Sequence, residues 1–164
     1  MKLMMVIEGE RDPNWIRRLI TEFQEKSLAD IASLDWVQKA FRPLYERHLE
    51  SIEIIRQKAQ CSERTIFFDL SEHELEGYNK FIPYYLFPQA TYSVGVSLSS
   101  FRAKISVGSN PWSPSPRTHN LAALCERHGG GGHSVVGAIS FEPRDLPRAR
   151  EIAQEIAREL RGGS

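Results

Sequence analysis

Apolar residues recur along this chain in two rhythms, and the change of rhythm falls near residue 60. Before it the spacing is helical. Asp12 followed by Pro13 marks a helix start, a capping side chain with proline in the first turn. Trp15, Ile16, Leu19, Ile20 and Phe23 then share one helical face. Ser27 and Asp30 mark a second, short helix. From Trp36 the residues Val37, Ala40, Phe41, Leu44, Tyr45, Leu49, Ile52 and Ile55 keep helical spacing as far as Ala59. Pro43 lies inside that run and predicts a kink or a break. The first seven residues, Met1–Ile7, predict a strand. The helical stripe is broad for so thin an element, so it calls for a partner, either another domain or a second copy of the chain.

Beyond Cys61–Glu63 the period shortens. Thr65–Leu70 is β-branched and aromatic and predicts a strand. Asn79–Phe87 predicts a helix with Pro83 near its first turn. Thr91–Leu98 and Arg102–Val107 alternate and predict a hairpin turning at Ser99 and Ser100. Prolines and Asn110 make Gly108–Pro116 a loop. Thr118–His128 predicts a short helix, with Thr118 as cap and Gly129 at its C-terminal end. Val135–Phe141 predicts a turn and a strand, and Asp145 with Pro147 opens a last helix. The sum is an α/β protein with a mixed β-sheet of about four to five strands flanked by helices, preceded by an α-helical linker. Residues 1–60 form the helical part and 61–164 the α/β domain.

Composition narrows the function only a little. The 164 residues carry 41% hydrophobic and 26% charged residues and no net charge, so no bulk charge draws the chain to nucleic acid or membrane. Between Thr91 and His133, however, four cations (Arg102, Lys104, Arg117, Arg127) face one anion, Glu126. Two cysteines make no disulfide framework. No apolar run has membrane-spanning length, and the N-terminus is charged too soon for a signal peptide, which points to the cytoplasm.

Four consecutive glycines, Gly129–Gly132, followed by His133, are the most unusual feature. Glycine loses more backbone freedom on folding than any other residue, so such a run needs a reason. Close approach of main-chain amides to an anion, most often phosphate, is one such reason, and His133 adds a side-chain donor. A flexible linker is the plain alternative, but linkers usually carry serine and lack apolar flanks. The loop follows a helix C-terminus, whose dipole repels anions. Amides, His133 and nearby cations would have to hold the ligand.

These residues resemble the C-terminal, DHH-associated domain of the DHH phosphoesterase superfamily, which includes RecJ exonucleases, oligoribonucleases and an exopolyphosphatase-related branch. Gly130, Gly131, Gly132 and His133 match its "GGGH" signature and Gly137 a later glycine. The likeness extends to Asn79–Ala90 and Ile105–Trp112, roughly Glu63–Arg161 in all. It implies that His133, with the amides of Gly130, Gly131 and Gly132, contacts substrate phosphate, and that the loop of Ser109, Asn110 and Trp112 faces the substrate cleft. Asn110 could donate to phosphate or base, and Trp112 could stack on a base or simply anchor the core. Arg102 and Lys104 could track a phosphate backbone or lie on a solvated face. The implied ligand is a nucleotide, a short oligonucleotide or polyphosphate.

Members of that superfamily hold two divalent metals, Mn or Mg, in an N-terminal domain with an Asp-His-His set. This chain has no Asp-His-His, and none of its five aspartates is arranged with histidines at metal-ligand spacing. No catalytic or metal-binding residue and no bound cofactor is therefore expected in it. Two readings follow. The chain is the substrate-binding part of a metal-dependent phosphoesterase, inactive by itself and working with an N-terminal catalytic domain. Alternatively it is a stand-alone nucleic-acid or phospho-ligand binding or assembly module, with the helical region forming a homodimer.

Overall fold

The computed structural model describes residues 2–73, 75 and 77–162. The chain divides into two compact units, Met1–Ser51 and Ile52–Ser164. The first is helical: α1 (Lys2–Gly9), α2 (Pro13–Glu25), α3 (Leu28–Ser33) and most of α4 (Asp35–Lys58). Asp12 caps α2 by accepting from the Asn14 amide at 2.9 Å, with Pro13 at the first helical position. Ser27 caps α3 in the same way. Leu19, Ile31 and Val37 form a small core, and Trp15 meets Trp36 edge-on at 4.8 Å.

One expectation fails here, and of the kink or break expected at Pro43 the break does not occur. The N-terminal segment is the helix α1, not a strand. A strand needs a neighbour for its backbone groups, whereas a helix satisfies its own. Helix α4 runs unbroken through Pro43. Proline removes one donor from the ladder, and the buried Val37 and Phe41 hold the helix N-terminal to that gap.

The second unit is α/β, as the sequence implies. A six-stranded mixed sheet has the order β1-β2-β3-β4-β6-β5. The strands are β1 (Gln60–Ser62), β2 (Thr65–Asp69), β3 (Tyr92–Leu98), β4 (Ala103–Ser109), β5 (Gly131–His133) and β6 (Val136–Phe141). Only β2 and β3 are parallel. Short helices α5 (Ile82–Leu86) and α6 (Leu121–Glu126) and the long α7 (Leu146–Gly162) complete it.

The sheet has two unlike faces. Val94, Val96, Ala103, Ile105, Val107 and Ile139 point to one side, where α6 and α7 bury them. On the other side, Ile66 and Phe68 of β2 pack with Ile55, Ile82 and Tyr84. Further along this second face the strands carry Ser93, Gly95, Ser106 and Gly108, too small to fill the space above them.

The strand count exceeds the expected one because both edge strands were hidden. β1 joins β2 through Glu63 and Arg64, which hold φ of 47° and 62° without being glycine. The other hidden strand is made of the glycines themselves. Helix α5 is shorter than expected, and Asn120, not Thr118, caps α6, accepting from the Ala122 and Ala123 amides. The Thr118 amide donates instead to the Tyr92 hydroxyl at 2.7 Å.

Candidate functional site

The glycine run closes a helix and then becomes an edge strand. Gly129, at φ 78°, donates to Glu126 O, and Gly130 donates to Cys125 O at 2.9 Å. This is the hydrogen-bond pattern of a Schellman cap. Gly131–His133 then pairs antiparallel with β6, with Gly131 opposite Ala138, Gly132 opposite Gly137 and His133 opposite Val136.

Much of the need for glycine is therefore internal. A Cβ on Gly130 would lie 2.3 Å from Ala138 O, and one on Gly132 would lie 2.2 Å from Val136 O. One on Gly137 would meet Cys125 Sγ at 2.5 Å, because α6 crosses β6 there. Around Gly131 the space is open. The Gly130 amide is committed to the helix cap, and pairing with β6 takes up alternate amides of β5, so at most two of Gly131, Gly132 and His133 keep an amide free for an anion.

Register carries His133 to the small-residue face. Ser93 of β3 pairs with Gly108 of β4, Gly108 with Val136 of β6, and Val136 with His133. Directly paired residues share a face, so these four form one row across the sheet. Ser93, Gly108 and Val136 line a cavity of about 470 Å³, walled on other sides by Phe68, Tyr78 and Tyr84. Lys80 and Arg117 also line it and are solvent-exposed, which puts two cations at its rim.

The predicted residues divide accordingly. Ser109 and Asn110 line the cavity. Ser109 donates through its amide and its hydroxyl to Val135 O, at 3.0 and 2.9 Å, and so fastens the turn that follows His133. Asn110 is buried, and both its amide hydrogens are in use, donated to Pro88 O and Ala90 O, while its side-chain oxygen accepts from the Trp112 amide. Its amide thus shapes the loop instead of donating to a ligand. Trp112 is 69% exposed and meets Phe81 edge-on at 5.2 Å, so it is not a core anchor.

Arg102 is brought nowhere near them. It precedes β4 in the turn from β3, its guanidinium 5.1 Å from the Phe101 ring. Ser109 closes the other end of that strand, seven residues on and about 23 Å away at strand rise. Lys104 does stand on the cavity face, half-buried, and burial with the neighbouring Arg102 charge lowers its pKa.

Sequence reasoning missed Tyr78, Tyr84, Ser93 and Lys80. The readable signal was the alternation of small polar with apolar residues along β3 and β4. Burial raises both phenols, Tyr84 to about 12 despite a hydrogen bond with Ser93 Oγ at 2.8 Å, and Tyr78 higher still. Both are neutral at physiological pH. Among the described residues no three of His, Cys, Asp and Glu gather into a set able to hold a metal ion. These residues therefore do not furnish a site for the divalent pair that the resemblance implies.

The fold so defined is similar to that of two distantly related solved structures. One is the pGpG-specific phosphodiesterase PggH of Vibrio cholerae, 23% identical, with a TM-score of 0.78 over 92% of this chain. Another is an exopolyphosphatase-related protein of Bacteroides fragilis, 14% identical, with a TM-score of 0.53 over 92% of this chain. At these identities the fold is what is shared. The chain spans about half the length of each, 51% of the first and 45% of the second. No protein-family model and no curated protein matches the sequence. No helix among the described residues is long and apolar enough to cross a membrane.

Proposed function

We propose that the second unit is the substrate-binding, DHH-associated module of a phosphoesterase acting on nucleotides or short oligonucleotides. Its phosphate-holding edge is Gly131, Gly132 and His133. One observation carries this reading: the row Ser93–Gly108–Val136–His133, which sets an exposed imidazole at the end of a line that floors a cavity. Lys80 and Arg117 at the rim supply the positive field that the helix C-terminus before the hairpin cannot.

The metals, Mn or Mg, would come from a catalytic domain outside the described residues. The likeness to half of PggH and half of the exopolyphosphatase-related protein supports such a division of labour. In it this chain binds and orients the ester, neutralises phosphate charge and leaves bond cleavage to its partner. We place that partner, or a second copy of the chain, against the helical residues 1–60, where Met4, Ile20 and Leu28 are more than half exposed. The reading of a stand-alone binding module differs only in lacking that partner.

The test is a titration of the whole chain with the dinucleotide pGpG, followed by amide NMR. The signals of Gly131–Val136 and Ser109 are expected to move, and His133→Ala to weaken binding about ten-fold, the scale of one charge-assisted hydrogen bond. If those signals stay still while others respond, the reading is wrong.

A further inference from the structure

The turn between β1 and β2 is strained for a reason that its own hairpin does not supply. Ser62 pairs with Thr65, so Glu63 and Arg64 form a two-residue loop, and both hold positive φ, 47° and 62°. Asparagine followed by glycine is the usual pair in such a turn, because other side chains crowd the backbone there. Glycine at the second position would make the same turn without strain. The chain places an arginine there instead, and strain of this kind persists where the surrounding structure uses the residue.

Arg64 is used at both ends. Its carbonyl accepts from the Thr91 amide at 2.7 Å and the Tyr92 amide at 3.2 Å, where β3 begins. Its guanidinium donates to the Ser115 hydroxyl, 51 residues along the chain. No carboxylate lies within ion-pair distance of it among the described residues. Ser115 belongs to the loop 110–118, whose other attachments come from β3 and the residue before it. The Asn110 amide donates to Thr91 O at 2.9 Å, the Thr91 and Ser113 hydroxyls bond at 3.0 Å, and the Thr118 amide donates to the Tyr92 hydroxyl. Pro114 and Pro116 fix φ on either side of Ser115 and leave it few conformations.

Arg117 therefore stands between two anchored positions, Ser115 held by Arg64 and Thr118 held by Tyr92. It lines the cavity, and it too has no carboxylate within ion-pair distance among the described residues. A long cationic side chain binds an anion better from a fixed backbone, because less freedom is then lost on binding.

We infer that Arg64 is a positioning residue: through Ser115 it fixes the loop that carries Arg117, and so aims that guanidinium at the phosphate of the bound ligand. Arg64 is not among the residues that line the cavity, so it acts on the ligand only through the loop. The inference rests on the phosphate-binding reading above and adds to it a residue outside the site.

The experiment measures affinity for pGpG by calorimetry and stability by denaturant unfolding, on the whole chain and its variants. Arg64→Gly removes the guanidinium and relieves the turn. Its unfolding midpoint should hold or rise while its affinity falls about five-fold, the scale of one hydrogen bond. A merely structural residue would move the two together. Ser115→Ala keeps the Arg64 charge and should weaken binding equally, and the double variant should bind no worse than either single one. Arg117→Ala should weaken binding at least as much, and adding Arg64→Gly to it should change nothing further. If Arg64→Gly binds as the wild type does, or loses affinity only in step with stability, the positioning role is wrong. If it weakens binding by the same factor with and without the Ser115 hydroxyl, the guanidinium acts by its charge alone and the role is again wrong. If Arg117→Ala leaves affinity unchanged while His133→Ala lowers it, the phosphate edge stands and this inference falls. If the wild-type chain does not bind pGpG, the phosphate-binding reading falls and takes this inference with it.

Discussion

Ser109 holds the carbonyl of Val135 twice, through its amide at 3.0 Å and its hydroxyl at 2.9 Å. The bond ties the end of β4 to the turn that joins β5 to β6, two residues after His133. The Leu121 amide donates to Ser134 O in the same turn at 3.2 Å. The hairpin that presents the imidazole is thus clamped by the central strand and by α6.

Ser109→Ala should therefore separate position from stability. The amide bond survives, so unfolding free energy should fall by about 1 kcal/mol or less. Binding of pGpG should weaken several-fold as the turn loosens. Denaturant unfolding and calorimetry on the same sample check this, and a loss of stability without a loss of affinity would contradict it.

The glycines should not be equivalent. Gly132→Ala forces a Cβ to 2.2 Å from Val136 O and should lower stability by about 2 kcal/mol or more. Gly131→Ala meets open space and should change stability by less than about 1 kcal/mol. Hydrogen exchange of the β5–β6 amides would register the difference, and equal effects would show that the edge strand is not packed as described.

Asp69 lies in a network with Ser71 and Arg150. Its Oδ2 accepts from Arg150 Nε at 2.7 Å, and its Oδ1 accepts from the Ser71 amide and hydroxyl. Burial works to raise its pKa, but the Ser71 hydrogen bonds and the Arg150 guanidinium outweigh it and hold the carboxyl below its ordinary value of 3.8. A pKa lowered in the folded state means stability present at neutral pH and lost as pH falls through the folded value. Asp69→Asn should cost about 1 kcal/mol at pH 7, a partly exposed pair. The gap to wild type should close between about pH 5 and pH 2. Unfolding at a series of pH values decides it, and a constant gap would mean that the charge is not what the network uses.

With Mn²⁺ and pGpG, this chain alone is expected to bind without turning over, since its described residues gather no metal-holding set. Chromatography of the mixture checks for released mononucleotide. Turnover that survives His133→Ala would contradict both the division of labour and the place of that histidine.

The local sequence was enough for the rhythm of most elements. Asp12-Pro13 and Ser27 started helices where capping chemistry requires, and the alternation of β3 and β4 told which of their side chains share a face. Those are near-neighbour effects, written in spacing and in side-chain hydrogen bonds to the adjacent backbone. It also exposed the importance of Gly129–His133, but for part of the reason only. That Gly130 and Gly132 are glycine because β6 crosses against them, that Gly137 leaves room for Cys125, and that Asn110 is fastened to Pro88 and Ala90 are contacts between distant segments, which no local pattern records. The same holds for Arg102. Its sequence distance from Ser109 is small, yet the rigid rise of a strand puts the two at opposite ends of the sheet. Strand order and register alone brought Ser93, Gly108 and His133 to one face, because pairing across a sheet is decided by the whole fold and not by any one of its strands.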